Sequence, residues 1–525
     1  SIRRTNARFR RFQGFDLNVP NAVFSNDQDI PTETGILRVA PRRAGTNASH
    51  EFRKVYLVPF TGKQVQRYIS NVIPWWRPFR RRHAASIVKK IPELSIRPML
   101  LALLPELIAD RSDIRELWQL YEFMVDMHAQ RIIQDLLQTE CGAIHAKRRV
   151  TLALMVQASC IGHLSLIGIS RRLDTATALR HRIKRCDRLL GNLHLSHEKL
   201  DVYRAMAQRI LIGNPRPAIV IDWSDLSADR SQHLLRAALV VKGRAVVLYE
   251  EVHPMKQYGS PKVHERFLRR LRALLPQHSR PILVTDAGFR ASWFKLCNRL
   301  KFDWVGRIRN RDMIRPQTDA AAWVGCKSLY PKATATPEDR GAFDYVRSTP
   351  VACRLVLYKK PACHRQAKTA FGKRARCRHS LKQAKAQTEP WLLAASLGLA
   401  ELDARAVVDL YGGRMQIEQS FRDVKNPNFG LGLSLSQTTR PDRLAILLLI
   451  GALAMFALWL IGLAARARGY RVNFGSRARA DSTLSTISLA RWWLEEPAHR
   501  ATRFRKREET IALEMLRNLA WGRQI

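Results

Sequence analysis

Between Leu444 and Ala465 the chain reads LAILLLIGALAMFALWLIGLAA, 22 residues without a charge, bounded by Arg443 and Arg466. No other stretch restricts so strictly what this chain can fold into. A run of that length either spans a bilayer or forms a helix buried on every side inside a large domain. It is the only such run, and it follows directly on a strongly charged segment, YGGRMQIEQSFRDVKN at 411–426. Both facts favour the buried helix, so no membrane partner is expected. A helix covered on all sides needs a sizeable core, and 525 residues at 46% hydrophobic content can build one.

The charge balance points to a partner. Lys and Arg number 89 against 44 Asp and Glu, a formal net charge of +45. That excess implies a polyanion, nucleic acid first and anionic membrane second. The eight cysteines include no C-x-x-C pair. No disulfide framework is legible, and a reducing compartment, a bacterial-type cytoplasm at the nucleoid, is expected. Cys363-His364 with Cys377 and His379 does not have the spacing of a zinc site. The chain opens on Ser1, and its first residues do not read as a signal peptide.

Organisation changes along the chain. Residues 1–123 are arginine-rich, broken by prolines and polar clusters through WWRPFRRRH at 75–83, with short helices expected only in 99–123. They read as an extension or fusion, partly disordered. Residues 124–213 carry helical patterns. Among them TATALRHRIKRCDRLLGN at 175–192 follows a threonine capping signal, with SLIGISRRL before it. Together these read as a helix-turn-helix-like unit presenting Arg182, Lys184 and Arg185 to DNA, or as an ordinary basic helix of a bundle.

A strand rhythm then begins. PAIVIDWSDL (217–226), HLLRAALVVKG (233–243) and RAVVLYEEVH (244–253) read as three antiparallel strands, the last two joined at Lys242-Gly243. A proline-opened helix (261–276) leads to RPILVTDAGF (280–289), a fourth strand ending in Asp, then a helix and WVGRIR (304–309). That order is ribonuclease-H-like. Residues 311–400 read as a basic, partly β insertion, with strands at 352–360 and 389–397. From Tyr345 to Thr388 it has twelve Lys and Arg and no acid, a composition suited to phosphate contacts. The core resumes at 401–475. Residues 476–525 form a C-terminal helical region, a candidate for dimerisation.

Asp222 and Asp286 each end a hydrophobic strand, and those strands are neighbours in the proposed sheet. Glu418 on a following helix would complete a set of three carboxylates. Singly, each Asp reads as a strand-end cap; as an ordered set they favour catalysis. Three hard oxygen donors suit Mg²⁺, and two such ions about 4 Å apart drive in-line phosphoryl displacement. If 411–426 is one helix at about 100° per residue, Tyr411, Arg414, Glu418, Arg422 and Lys425 share one narrow stripe. The acid would face metal while the cations clamp phosphates and Tyr411 bonds or stacks beside them. The competing reading is an exposed helix with i,i+4 ion pairs.

Tyr411, Arg414, Glu418 and Lys425 meet the pattern Y-x2-R-x3-E-x6-K. With IDWSDL, LYEE, VTDAGF, RIKRCDRLLGN and RMQIEQSFRDVKNPNFGLGL, the chain over about 124–525 resembles the insertion-sequence-four family of DDE transposases, its transposon-ten branch most closely. The resemblance implies a ribonuclease-H-like catalytic core with a β-rich insertion, preceded by a helical DNA-binding domain. It also implies cut-and-paste chemistry through a DNA hairpin, with two Mg²⁺ ions per site and Mn²⁺ as an alternative. The triad carries over to Asp222, Asp286 and Glu418, as catalytic residues and metal ligands. Trp391 takes the place of an aromatic that stacks on a flipped base, although a strand tryptophan also reads as core. The implied partners are transposon-end and target DNA and a second copy of the chain in a homodimer. Residues 1–123 have no counterpart in that family. A catalytically silent DNA-binding relic or repressor, and a protein anchored through 444–465, are the competing readings.

Overall fold

The computed structural model describes residues 36–38, 54–56, 61–90, 128–227, 229–309, 311–318, 321–361, 377–378, 381, 389–470, 484–495 and 506–520. The chain divides into two units, Ser1–Asp126 and Met127–Ile525.

In the first unit, β1 (Ile36–Arg38) pairs antiparallel with β2 (Lys54–Tyr56). Two helices follow, α1 (Gly62–Val72) and α2 (Pro78–Lys90), in a stretch that the sequence reading left without sustained periodicity. The signals were local ones. Thr61 and Gln64 form a capping box, each side chain satisfying the other's backbone N–H. Val65, Tyr68 and Ile69 then bury at helical spacing. Arg81 clamps the helices together, donating from Nε to the Ile73 carbonyl at 2.9 Å and from a terminal nitrogen to the Ser70 carbonyl at 3.0 Å. The short helices expected at 99–123 lie outside the described residues.

The second unit is mixed α/β, built on a ten-stranded mixed sheet. Five helices precede it: α3 (His128–Glu140), α4 (Ala146–Ile161), α5 (Leu166–Arg172), α6 (Leu179–Leu190) and α7 (Leu193–Leu211). Next come β3 (Ala218–Asp225), β4 (Gln232–Val241), β5 (Arg244–Pro254), α8 (Pro261–Leu274), β6 (Ile282–Thr285), α9 (Ala291–Arg299) and β7 (Asp303–Ile308). Gly243, at φ +84, makes the tight β4–β5 turn that a side chain would strain. These strands lie in the order β5-β4-β3-β6-β7, antiparallel across the first three and parallel from β3 through β6 to β7. That arrangement is consistent with a ribonuclease-H-like core.

The sheet then continues through β8 (Met313–Pro316), β9 (Val324–Gly325), β10 (Glu338–Tyr345), β11 (Val351–Tyr358) and β12 (Trp391–Ala395). β12 pairs antiparallel with β7, and the full order runs on as β12-β11-β10-β8-β9. The β-rich insertion thus extends the core sheet past its β7 edge, giving that edge's backbone groups partners.

Three further helices frame the site: α10 (Ala404–Gly412), α11 (Met415–Lys425) and α12 (Pro441–Ala467). α12 holds the apolar run, and 94% of its most apolar window is buried within the protein. It packs against α3, α4, α7, β5 and the C-terminal helices α13 (Thr486–Glu495) and α14 (Lys506–Asn518). Protein therefore covers nearly all of the surface that a bilayer would otherwise cover. Each fully buried Leu, Ile or Phe on it contributes about 1.5–3 kcal/mol of transfer free energy. At Gly462 the α13 backbone comes so close that an added Cβ would run into the Thr486 carbonyl oxygen. One continuous apolar core takes in residues from Ala129 to Ala520, so helices α3–α7 share it with the sheet.

Candidate active site

Strand register brings the two aspartates together. β3 and β6 are parallel, with Ile221 opposite Thr285. One step further along both chains stand Asp222 and Asp286, on neighbouring strands about 4.8 Å apart. Asp222 Oδ1 accepts from the Trp223 backbone N–H at 2.8 Å. Asp286, just past the end of β6, accepts from the Gly288 N–H at 2.8 Å, which turns the chain toward α9.

Glu418 comes from the first turn of α11. A single guanidinium links it to β3: Arg414 lies 3.2 Å from Asp222 Oδ2 and 3.4 Å from Glu418 Oε1. The Asp222 side chain is 18% exposed and that of Glu418 41%, so the set opens to solvent at the glutamate. Burial, then the Asp286 charge and more weakly that of Glu418, push the Asp222 carboxyl up to about 7, against the pull of Arg414 and the Trp223 N–H. Asp222 thus feels both of the other acids, and Arg414 is the cation that offsets them there.

The donor set is hard oxygen throughout, as Mg²⁺ requires. Among the described residues, however, no three His, Cys, Asp or Glu side chains close to metal-holding distances. Arg414 stands between Asp222 and Glu418 where a cation would balance them. Cys363, His364 and His379 lie outside the described residues.

The expectation of one helix over 411–426 is corrected. α10 ends at Gly412 and α11 starts at Met415, so Tyr411 and Glu418 sit on different helices. Across the joint the backbone tightens to i→i−3 bonds: Arg414 to Tyr411 at 3.0 Å, Gln416 to Gly413 at 3.0 Å and Ile417 to Arg414 at 3.2 Å. The Gly412-Gly413 pair has little helix propensity to resist that break. Tyr411 is 5% exposed and packs edge-on against Trp391, centroids 4.9 Å apart. Trp391, at the start of β12, is half-buried and also meets Tyr358 at 5.9 Å.

The remaining cations divide. Arg422 is exposed one turn beyond Glu418. Lys425 instead donates to the Ser224 hydroxyl at 2.7 Å and to the Asp225 carbonyl, tying the last turn of α11 to the end of β3. On α6, Lys184 and Arg185 are exposed, while Arg182 donates to the Leu173 carbonyl at 3.1 Å and so braces the turn from α5. The threonine cap expected for α6 does not form. Its N-cap is Ala178, without a side-chain bond, and the Thr175 and Thr177 hydroxyls bond each other at 2.9 Å.

Sequence reasoning missed what holds α11 in place. Arg236 on β4 pairs in register with Asp222 on one side and Glu250 of β5 on the other, so the three side chains share one face of the sheet. Arg236 is fully buried, 2.7 Å from Glu250 Oε2, and donates to the Ser420 hydroxyl at 2.8 Å and carbonyl at 3.2 Å on α11. Its guanidinium lies 4.9 Å over the Phe421 ring, and the Tyr203 hydroxyl reaches Glu250 at 3.4 Å. A lone arginine inside the apolar run HLLRAALVV was the available signal.

Residues 213–456 match the family model described as Transposase DDE domain. The match takes in Asp222, Asp286 and Glu418. No curated protein matches the chain.

Proposed function

We propose, from the premise that this chain carries a transposase DDE domain across residues 213–456, that it is a DNA transposase of the insertion-sequence-four type. In this reading it hydrolyses the strand at transposon ends and transfers the freed 3′-hydroxyl into target DNA. The observation that carries it is the register step that sets Asp222 beside Asp286, with Glu418 joined to Asp222 through Arg414.

Asp222, Asp286 and Glu418 are the residues that would hold metal. Bound Mg²⁺ supplies an activated oxygen nucleophile and charge stabilisation at the leaving oxygen. The protein's part is orientation and charge. Arg414 offsets the mutual repulsion of the acids, and the Arg236 tether keeps Glu418 near the sheet. Arg422, exposed and one turn away, holds a DNA phosphate by charge-assisted hydrogen bonds. Trp391, braced by Tyr411, offers its ring to an extruded base. Lys184 and Arg185 on α6 bind the end sequence, and two copies of the chain act together on paired ends. Six buried cysteines, Cys141, Cys160, Cys186, Cys297, Cys326 and Cys353, are free thiols, which supports a reducing cytoplasm beside the nucleoid.

The test incubates purified protein and Mg²⁺ with DNA carrying the sequences that flank the coding region. Nicking and joining are expected. Asp222→Asn, Asp286→Asn and Glu418→Gln should each slow cleavage on the order of a thousandfold or more while DNA binding persists. Wild-type cleavage by any one variant removes that residue from the site. Gel shifts by the wild-type protein without strand breakage would favour the silent DNA-binding reading.

A further inference from the structure

From Phe52 to Pro92 the chain contains ten lysines and arginines and not one aspartate or glutamate. Within that stretch, the link from α1 to α2 and the first turn of α2 expose Trp75, Trp76 and Phe79 at 76%, 64% and 82%. The two indoles meet edge-on, centroids 6.0 Å apart at 86°, so their faces open in different directions. Three large aromatics left side by side in water mark a contact surface.

The cations around them are available. Arg81 is committed to the Ile73 and Ser70 carbonyls. Arg77, Arg80 and Arg82 are exposed, and their guanidinium groups have no ion pair or hydrogen bond among the described residues. At helical spacing, Arg82 and His83 fall on the same side of α2 as Phe79, while Ala84 and Ile87 are buried. The aromatic ring is therefore set among cations. A helix that lies in a membrane interface separates an apolar face from a charged one. Interleaved rings and guanidinium groups instead fit a single strand of nucleic acid, whose bases stack on the rings while its phosphates pair with the arginines.

We propose that Trp75, Trp76 and Phe79, with Arg77, Arg80 and Arg82, form a binding surface for single-stranded nucleic acid. It lies outside the segment matched to the transposase domain and does not depend on the catalytic reading.

The test is ultraviolet cross-linking of the full chain to a short oligothymidine, with the adducts mapped by peptide mass spectrometry. Adducts are expected on the peptide that contains Trp75, Trp76 and Phe79. Combined Trp75→Ser, Trp76→Ser and Phe79→Ser should abolish them and weaken oligothymidine binding roughly tenfold or more. Trp75→Tyr with Trp76→Tyr should preserve both, because a phenol still stacks. A parallel oligouridine arm separates a DNA source from an RNA source by which polymer cross-links more. Asp222→Asn should leave the adducts unchanged, so loss of catalysis and loss of this surface are read apart. Adducts confined to residues 127–525, or unchanged affinity in the triple serine variant, would overturn the proposal. So would tryptophan emission that shifts with phosphatidylserine vesicles and not with either oligonucleotide.

Discussion

Arg236 is a single buried charge that ties the helix carrying Glu418 to the sheet. Its guanidinium joins Glu250 to the Ser420 backbone and hydroxyl, two residues from Glu418. Arg236→Ala would leave Glu250 buried and unpaired, and should cost about 3–5 kcal/mol in urea unfolding. Arg236→Met combined with Glu250→Leu removes both charges and should recover most of that stability. Cleavage should stay slow in the double variant with DNA affinity unchanged, because α11 has still lost its tether. A double variant that cleaves normally would deny Arg236 a positioning role. His264 gives a separate test at this scale. Its Nε2 accepts the Trp223 indole N–H at 3.2 Å, and burial, then the His253 charge, bring its pKa down from 6.5 to about 4. The unfolded chain binds that proton more readily, so stability is full above about pH 6.5 and declines as pH falls toward about 4. The loss is on the order of 3 kcal/mol, and His264→Gln should flatten that part of the urea-midpoint profile.

At the scale of elements, the strands were far more legible than the joints. β3 to β7 follow from β-branched runs punctuated by turns and β12 from a short apolar run, and both aspartates were visible because each directly follows a β-branched stretch. The break between α10 and α11 was not, since periodicity continues through Gly412 and Gly413 while the backbone tightens by one residue per bond. The α6 cap was misread because a threonine two or three residues early looks the same in sequence as one at the N-cap. Lys425 was read as a phosphate clamp because spacing reports which face a residue occupies and not which partner it has found. In α12 the sequence announced burial without naming the covering elements, and Gly462 marks one of them. Gly462→Val should push α13 away and lower stability by about 1–3 kcal/mol, seen as a fall in Tm with cleavage chemistry unchanged in the folded fraction. An unchanged Tm would mean that α13 does not pack there.

For the whole molecule, the site depends on long-range order: one register step between parallel strands, a sheet lengthened by the insertion, and a helix held by buried charge. The acids were readable as candidates from the sequence, but their convergence is tertiary, because Asp222 and Glu418 stand 196 positions apart. The +45 net charge belongs to this scale too. DNA affinity should fall steeply and linearly with log salt concentration, and a flat profile in filter binding would separate the charge excess from DNA. The central claim is that Asp222, Asp286 and Glu418 serve one metal-dependent phosphoryl transfer. Its most direct test is cleavage of end-containing DNA by Asp222→Cys in Mg²⁺ and in Mn²⁺, since a thiolate is a poor ligand for the first and a better one for the second. No cleavage is expected in Mg²⁺ and restored cleavage in Mn²⁺; wild-type cleavage by this variant in Mg²⁺ would contradict a metal-holding role for Asp222.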